Sequence, residues 1–429
     1  MPHVIIHRIF SLPVSLPVRG ADGLAKRATY GGVERQRLSS QSVKAHLRAA
    51  TGLTSPMADL AAAVGSNMSV RSALIGPRKI APALEQLGLE AEAAATWADA
   101  VMALFQTGKE KAPSEAGASR KPRGKGKASA QIEDDERGES AQDVEGAATK
   151  MAAGGRQVLT LGEGEINALT AVAAALHKAK IAPSDMRGLV EKPTKRRMQT
   201  QEVQSALEAL DAVRANAGLD GALFGRMATG IALSRVDSAV HVGHALTTHP
   251  IQSSVDFFSA QDQLLDREAG ESGGAHIGSR ELAAGVFYLP VVIDLAQLRK
   301  NFATWTDADI AKVVGWLVKS IATLTPAAML GSTAPFPDPG EIVVEVTTGQ
   351  PVNAMGAFER PVAPTLEASV AAFNQHMERV WAMVGRPAKV LRLSELVDTK
   401  SSSPAVQRLA DAIETVMHAM TTTPQKSNA

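Results

Sequence analysis

The first apolar run, Val4, Ile5, Ile6, Ile9 and Phe10, is short, rich in β-branched residues and stopped at Ser11-Leu12-Pro13. That is the pattern of a buried strand rather than a helix. From Ser11 to Val33 come two prolines, four glycines and a turn-rich Arg-Gly-Ala-Asp-Gly stretch, too long for a hairpin turn and read as a functional loop. Ser39-Ser40-Gln41-Ser42 offers N-cap hydroxyls, and Val43, Leu47 and Ala50 follow at helical spacing. A helix is therefore predicted from about residue 40, with Lys44 and Arg48 on one face.

Met57 to Phe105 is Ala- and Leu-rich with helical periodicity broken at Gly76-Pro77 and Gly88, which predicts several short helices. The periodicity resumes over Glu163 to Lys180 and Gln201 to Ala217. Between Gly108 and Gln157 large apolar residues almost vanish. Seven Lys or Arg over Lys109 to Lys127 are followed by seven acids over Glu133 to Glu145, and the segment reads as a disordered low-complexity insertion. Past Gly221 the texture turns to β structure, clearest at Val286-Phe287-Tyr288, Val291-Val292-Ile293 and Ile342 to Val346, with helices expected over Asp307 to Thr323 and Glu367 to Gly385. The order predicts one α+β domain interrupted by a helical one, without internal repeats.

Composition narrows the functional classes. A chain of 429 residues with 45% hydrophobic and 21% charged residues is globular and long enough for two to four domains. The absence of cysteine excludes disulfides, thiolate metal sites, a Cys nucleophile and a thiol switch, and fits a reducing cytoplasm. His3, His7 and Arg8 interrupt the N-terminal apolar run, so it does not read as a signal peptide. The longest nearly apolar stretch, Leu282 to Ile293, contains Pro290 and falls short of the ~20 residues that a membrane helix needs. A cytoplasmic protein without a membrane partner is expected.

Nucleotide-binding loops find no match. Gly162-Glu163-Gly164-Glu165-Ile166-Asn167 lacks the third glycine and sets two acids at the anion position, and no segment fits a P-loop. His241, His244 and His249 cluster in sequence, but His241 and His244 would point to opposite sides of a strand, and structural hydrogen bonding is the favoured reading over a metal site. Neither a cofactor nor a metal is expected.

Local charge says more than the total. The net charge is +1, yet residues 1 to 50 hold eight Lys or Arg against two acids, and residues 178 to 200 hold seven against two. By charge alone these are two solvated surfaces. Placement favours a phosphate track in the first block: Arg19, Lys26 and Arg27 lie on a glycine-containing loop before a capped helix that offers Ser39 and Gln41, then Lys44 and Arg48. A protruding flap is expected over Ile251 to Gly285, where Asp256-Phe257-Phe258-Ser259 sets two adjacent aromatics in an aromatic-poor chain. By pattern these anchor the flap, although an aromatic on such an arm can also wedge between bases.

These residues carry a family resemblance. Tyr30-Gly31-Gly32-Val33-Glu34-Arg35-Gln36-Arg37-Leu38-Ser39-Ser40-Gln41-Ser42-Val43-Lys44 resembles the signature of the CasC family, the backbone subunits of type I-E CRISPR Cascade complexes. Gly225-Arg226-Met227-Ala228-Thr229, Ala245-Leu246-Thr247-Thr248-His249, Asp256-Phe257-Phe258, Gly274-Ala275-His276-Ile277-Gly278 and Gly285-Val286-Phe287-Tyr288 follow in that family's order. The resemblance implies an RRM-like, ferredoxin-type palm (residues 1–56, 221–250 and 286–429), a helical fingers insertion (57–220, containing the low-complexity segment 108–157) and a thumb hairpin (251–285). It implies a non-catalytic subunit that polymerises with neighbouring copies along crRNA, holds the spacer backbone and presents bases to target DNA beside other Cascade subunits. Arg19, Lys26, Arg27, Ser39, Gln41, Lys44 and Arg48 would then meet phosphates and sugars, while Met227, Phe257, Phe258 and Ser259 would kink the guide. The competing reading is a metal-dependent endoribonuclease like type III backbone subunits, using Asp22 with Glu34 as the only nearby acid. A third is an assembly spacer with incidental RNA contacts.

Overall fold

A computed structural model describes residues 2–20, 23–49, 56–105, 158–213, 217–226, 236–261, 274–302, 305–326, 330–396, 408, 409, 411, 413 and 414. The expected low-complexity segment, Asp22 and Met227 lie outside the described residues.

The strands are β1 (His3–Ser15), β2 (Arg27–Tyr30), β3 (Val33–Leu38), β4 (Val70–Ser72), β5 (Leu159–Leu161), β6 (Val240–Val242), β7 (Ala245–Thr247), β8 (Gln252–Gln261), β9 (Gly274–Asp294), β10 (Glu341–Thr347) and β11 (Lys389–Ser394). The main sheet runs β11-β10-β1-β9-β7-β3-β2, with β6 and β8 also paired to β9, and every pairing is antiparallel. Strand β1 is central and covered on both sides. Val4, Ile6, Phe10 and Leu12 enter one core with the helices Ser40–Ala49 and Asp307–Thr323, while Ile9 enters a second with the helix Leu366–Val384. The first crossover helix follows β1 and the second joins β9 to β10. The spatial order β10-β1-β9-β7 is thus fourth, first, third and second in a β-α-β-β-α-β connectivity. The α+β expectation holds, and both chain ends build this sheet.

Two local features shape the sheet, and the first differs from the sequence expectation. The run from Ser11 to Val33 is not one loop: β1 continues past Pro13 to Ser15 through a register shift, and β2 starts at Arg27. Tyr30-Gly31-Gly32-Val33 makes a two-residue hairpin turn, with positive φ at both glycines (61° and 78°), the backbone that such turns require. Pro290 also sits inside a continuous 21-residue strand rather than ending it. Its ring fits because Gly243 lies opposite, where a Cβ would come within 2.6 Å of the proline side chain. The same residue interrupts the neighbouring strand, which is why β6 and β7 are separate.

Whereas Met57–Ala63 and Leu219–Phe224 pack with the main sheet, the helical residues from Ile75 to Leu210 form their own core around Trp97, Val101, Leu169, Val172, Leu176 and Leu207. Its joint to the main sheet is ionic. Arg226 forms a fork to Glu165 (Nη1 to Oε2 2.6 Å, Nη2 to Oε1 2.8 Å) and donates to the Thr160 carbonyl, and both side chains are at least 93% buried. Glu165 also accepts the Gly162 amide at 2.9 Å. Glu165, one of the two acids that spoil a nucleotide loop, here caps a helix and holds this arginine.

Candidate nucleic-acid interface

Of the eight cations in the first fifty residues, two serve the fold. Arg8 is fully buried in β1 and donates to the Ile321 and Leu324 carbonyls (2.8 and 2.9 Å), which caps the end of the helix Asp307–Thr323; burial lowers its pKa to about 9. Arg35, also fully buried, donates to the carbonyls of Thr247 (2.9 Å) and Phe358 (2.7 Å). Neither can reach a surface ligand.

Two further cations are ion-paired. Arg48 Nε meets Asp220 at 3.0 Å, and Asp220 also accepts the amide and hydroxyl of Ser69. Arg27 donates to Glu281 and to Glu34, the latter at 3.2 Å, and these partners raise its pKa. Ser39 is the helix N-cap: its Oγ accepts the Ser42 amide at 3.3 Å and its carbonyl accepts Val43. Its hydroxyl oxygen therefore satisfies one of the free amides of the first helical turn.

The other predicted residues follow along the loop and into the helix. Arg19 is exposed on the loop that bridges to Ala25, and Lys26 is half-buried beside it. Continuing the β2–β3 register sets Lys26 opposite Arg37, whose amide donates to the Lys26 carbonyl at 2.8 Å. Like charges facing each other across a ladder are unfavourable without an anion. Arg37 Nε is also buried without a hydrogen-bond partner among the described residues. Sequence reasoning missed Arg37; its signal was the Arg35-Gln36-Arg37 alternation, which on a strand puts both arginines on one face. Gln41 and Lys44 follow on the first turns of the helix. Lys44 Nζ and Arg48 Cζ lie 5.8 and 5.0 Å from the Phe224 ring centroid, so the expected shared face is real and docks on the helix Leu219–Phe224.

The expected flap is the β8–β9 hairpin, and the two-residue period of a strand separates its aromatics. Phe258 lies against Gly278, under the guanidinium of Arg280 (4.9 Å), which pairs with Asp256 at 3.0 Å. Phe257 is on the other face with Val255, and the two are 68% and 73% exposed. Across the ladder from Val255 is Glu281, whose carboxylate accepts the Ala25 amide at 2.7 Å. Phe257 therefore projects on the side of the basic loop, one same-face step of roughly 7 Å beyond Glu281. Ser259 follows in the same strand. Among the other aromatics, His7, Tyr288, Phe358 and Phe373 pack together between the sheet and the helix Leu366–Val384.

The histidines have separate tasks. His241 is exposed on β6, and His244 Nδ1 accepts the Ser40 amide at 3.0 Å. His249 Nε2 accepts the Val286 amide at 3.0 Å, so its Nδ1 carries the proton donated to the Pro250 carbonyl at 2.7 Å. No group of three metal-capable side chains occurs among the described residues. Burial lowers the His249 pKa below its ordinary 6.5, outweighing the Pro250 bond, and the Arg35 charge adds to it. A lowered folded value means that the unfolded chain binds the proton first. The stability from neutral His249 is complete above 6.5 and is lost as pH falls through the lower folded value. Melting temperature should therefore drop between about pH 7.5 and about pH 5.5, and a His249→Gln variant should show a shallower drop.

No helix among the described residues is long and apolar enough to cross a membrane. No curated protein matches the chain. Two solved structures share its fold over nearly the whole length. A chain of a "CRISPR RNA-guided surveillance complex, pre-nicking" superposes with a TM-score of 0.63 at 23% identity, over 97% of this chain and 100% of that one. A chain of a "CRISPR RNA-guided surveillance complex" superposes with a TM-score of 0.58 at 20% identity, over 96% and 99%. The profile of the CT1975-like protein family matches residues 4–421, and the chain belongs to that family.

Proposed function

We propose that this protein is the crRNA-binding backbone subunit of a type I-E CRISPR surveillance complex, of the CasC kind, with an RRM-like palm. It polymerises along the guide with neighbouring copies, holds the spacer through its phosphates and leaves bases available to target DNA, together with other Cascade subunits in the cytoplasm. The observation that carries this reading is the strip Arg19, Lys26, Arg37, Gln41 and Lys44 next to a hairpin that shows exposed Phe257 on the same side. Cations that track a backbone and an aromatic that meets base faces are what sequence-independent single-strand binding needs. The shared fold with chains of RNA-guided surveillance complexes supports the same assignment.

The reading is of a non-catalytic protein without a cofactor. Glu34, the acid nearest in sequence to Asp22 on that loop, is engaged by Arg27, which leaves it poorly disposed to assist Asp22 in holding a divalent ion. The test is binding of the purified protein to labelled crRNA at stepped salt with Mg²⁺ present, and the RNA read on a denaturing gel. Cooperative, strongly salt-dependent binding with intact RNA is expected. Mg²⁺-dependent fragments that disappear in an Asp22→Ala variant would move the protein to the nuclease class, and salt-insensitive binding with intact oligomers would leave it an assembly spacer.

A further inference from the structure

Both strands of the β8–β9 hairpin are bolted to the basic loop and its hairpin. On β9, Glu281 is 5% exposed; its Oε2 accepts the Ala25 amide at 2.7 Å and its Oε1 accepts from Arg27 Nη2. On the β8 side, the Ile251 amide donates to the Glu34 carbonyl at 2.8 Å, and the Glu34 carboxylate holds the other Nη of Arg27 at 3.2 Å. Ser253, also on β8, hydrogen-bonds Glu281. On the same face of the hairpin, Val255 and Phe257 are exposed.

An apolar residue at position 281 could fill the same space. A carboxylate with several fixed donors also sets direction, and its burial is tolerated only while those donors stay in place. We propose that Glu281 is a positioning residue that fixes the angle of the hairpin against the loop, so that Phe257 and the cations Arg19 and Lys26 address one bound strand. Arg27 is then the counter-ion of this lock rather than a phosphate ligand. The purpose of the lock rests on the RNA-binding reading; its existence does not.

Burial alone would raise the Glu281 carboxyl, but bonds from Ser253, the Ala25 amide and Arg27 outweigh it and hold the group below its ordinary 4.5. The lock is thus charged throughout the neutral range.

The lack of native cysteine allows a direct test. Spin labels at Val255→Cys on the hairpin and Ala371→Cys on the helix Leu366–Val384, both exposed positions, report the hairpin angle by pulsed electron resonance without any RNA. The parent should give one narrow distance distribution. Glu281→Gln and Arg27→Gln should each widen it about twofold, and the double variant should add little, because the two residues act as one unit. On labelled crRNA, both variants should raise the dissociation rate roughly tenfold with an unchanged salt slope. Distributions as narrow as the parent's would overturn the proposal, as would an Arg27→Gln variant that lowers the salt slope by about 0.7 without moving the labels, the mark of a lost phosphate contact. If Glu281→Gln does not fold, Arg27→Gln, with its side chain 34% exposed, decides the matter. Failure of the parent to bind RNA would sink the functional reading while the spin-label comparison still judged the lock.

Discussion

Replacing Arg226 with Met should destabilise the protein by about 3–5 kcal/mol, because it leaves Glu165 buried without its counter-charge. The pair closes with two short, parallel bonds in a site where both side chains are almost fully covered. Water cannot replace the guanidinium there, and the remaining Gly162 amide compensates only part of the charge. In a chain of this size the loss corresponds to a melting point lower by on the order of 10 °C. Replacing both partners with apolar residues, as in Arg226→Met with Glu165→Leu, should recover much of the loss, since two desolvated charges then disappear together. A single variant that melts within about 1 °C of the parent would show that the helical unit is held by something else.

The second large effect concerns RNA. Reversing Lys26 and Lys44 together, Lys26→Glu with Lys44→Glu, should weaken crRNA binding roughly a hundredfold at low salt and flatten the salt slope by about 1.4, equally for unrelated RNA sequences. Lys26 is half-buried opposite Arg37, and Lys44 is half-buried on the first helix beside the Phe224 ring. Melting temperature should change little. Arg48→Glu should behave in the opposite way, costing stability at Asp220 with little change in slope. Titrations of parent and variants at several salt concentrations, with melting curves for each, separate the two kinds of cation. An unchanged slope in the double reversal would remove Lys26 and Lys44 from the interface.

The contrast between these arginines and lysines marks where sequence reading stops. A cluster of eight cations in fifty residues pointed to a phosphate track, but the cluster is not homogeneous. Arg8, in an apolar strand, and Arg35, in a polar one, both turn inward to donate to backbone carbonyls. Arg27 and Arg48 found carboxylates from residues 281 and 220, far away in the chain. Sequence distance hides such partners, because a charge run shows its neighbours along the chain and not those across a sheet. Arg37 was overlooked for the converse reason: only the β2–β3 register sets it against Lys26.

The pair Phe257 and Phe258 teaches the same lesson. The two readings offered for it fall on different rings, since adjacent strand residues face opposite sides. Phe258 anchors the hairpin, while Phe257 is the one left for a ligand.

What the sequence determined by itself was set by local rules. Apolar period made β1, the late strands and the helices Asp307–Thr323 and Leu366–Val384 legible; Ser39 announced a cap; and the acidic glycine loop gave no dinucleotide fingerprint. What tertiary structure alone decided was which charges are neutralised and which way a side chain faces. Strand β9 shows why: the same 21 residues begin in the hairpin, accept the loop through Glu281, and end in the centre of the sheet beside β1. Pairing between segments hundreds of residues apart is chosen by the burial of whole faces, and no window of sequence contains both partners.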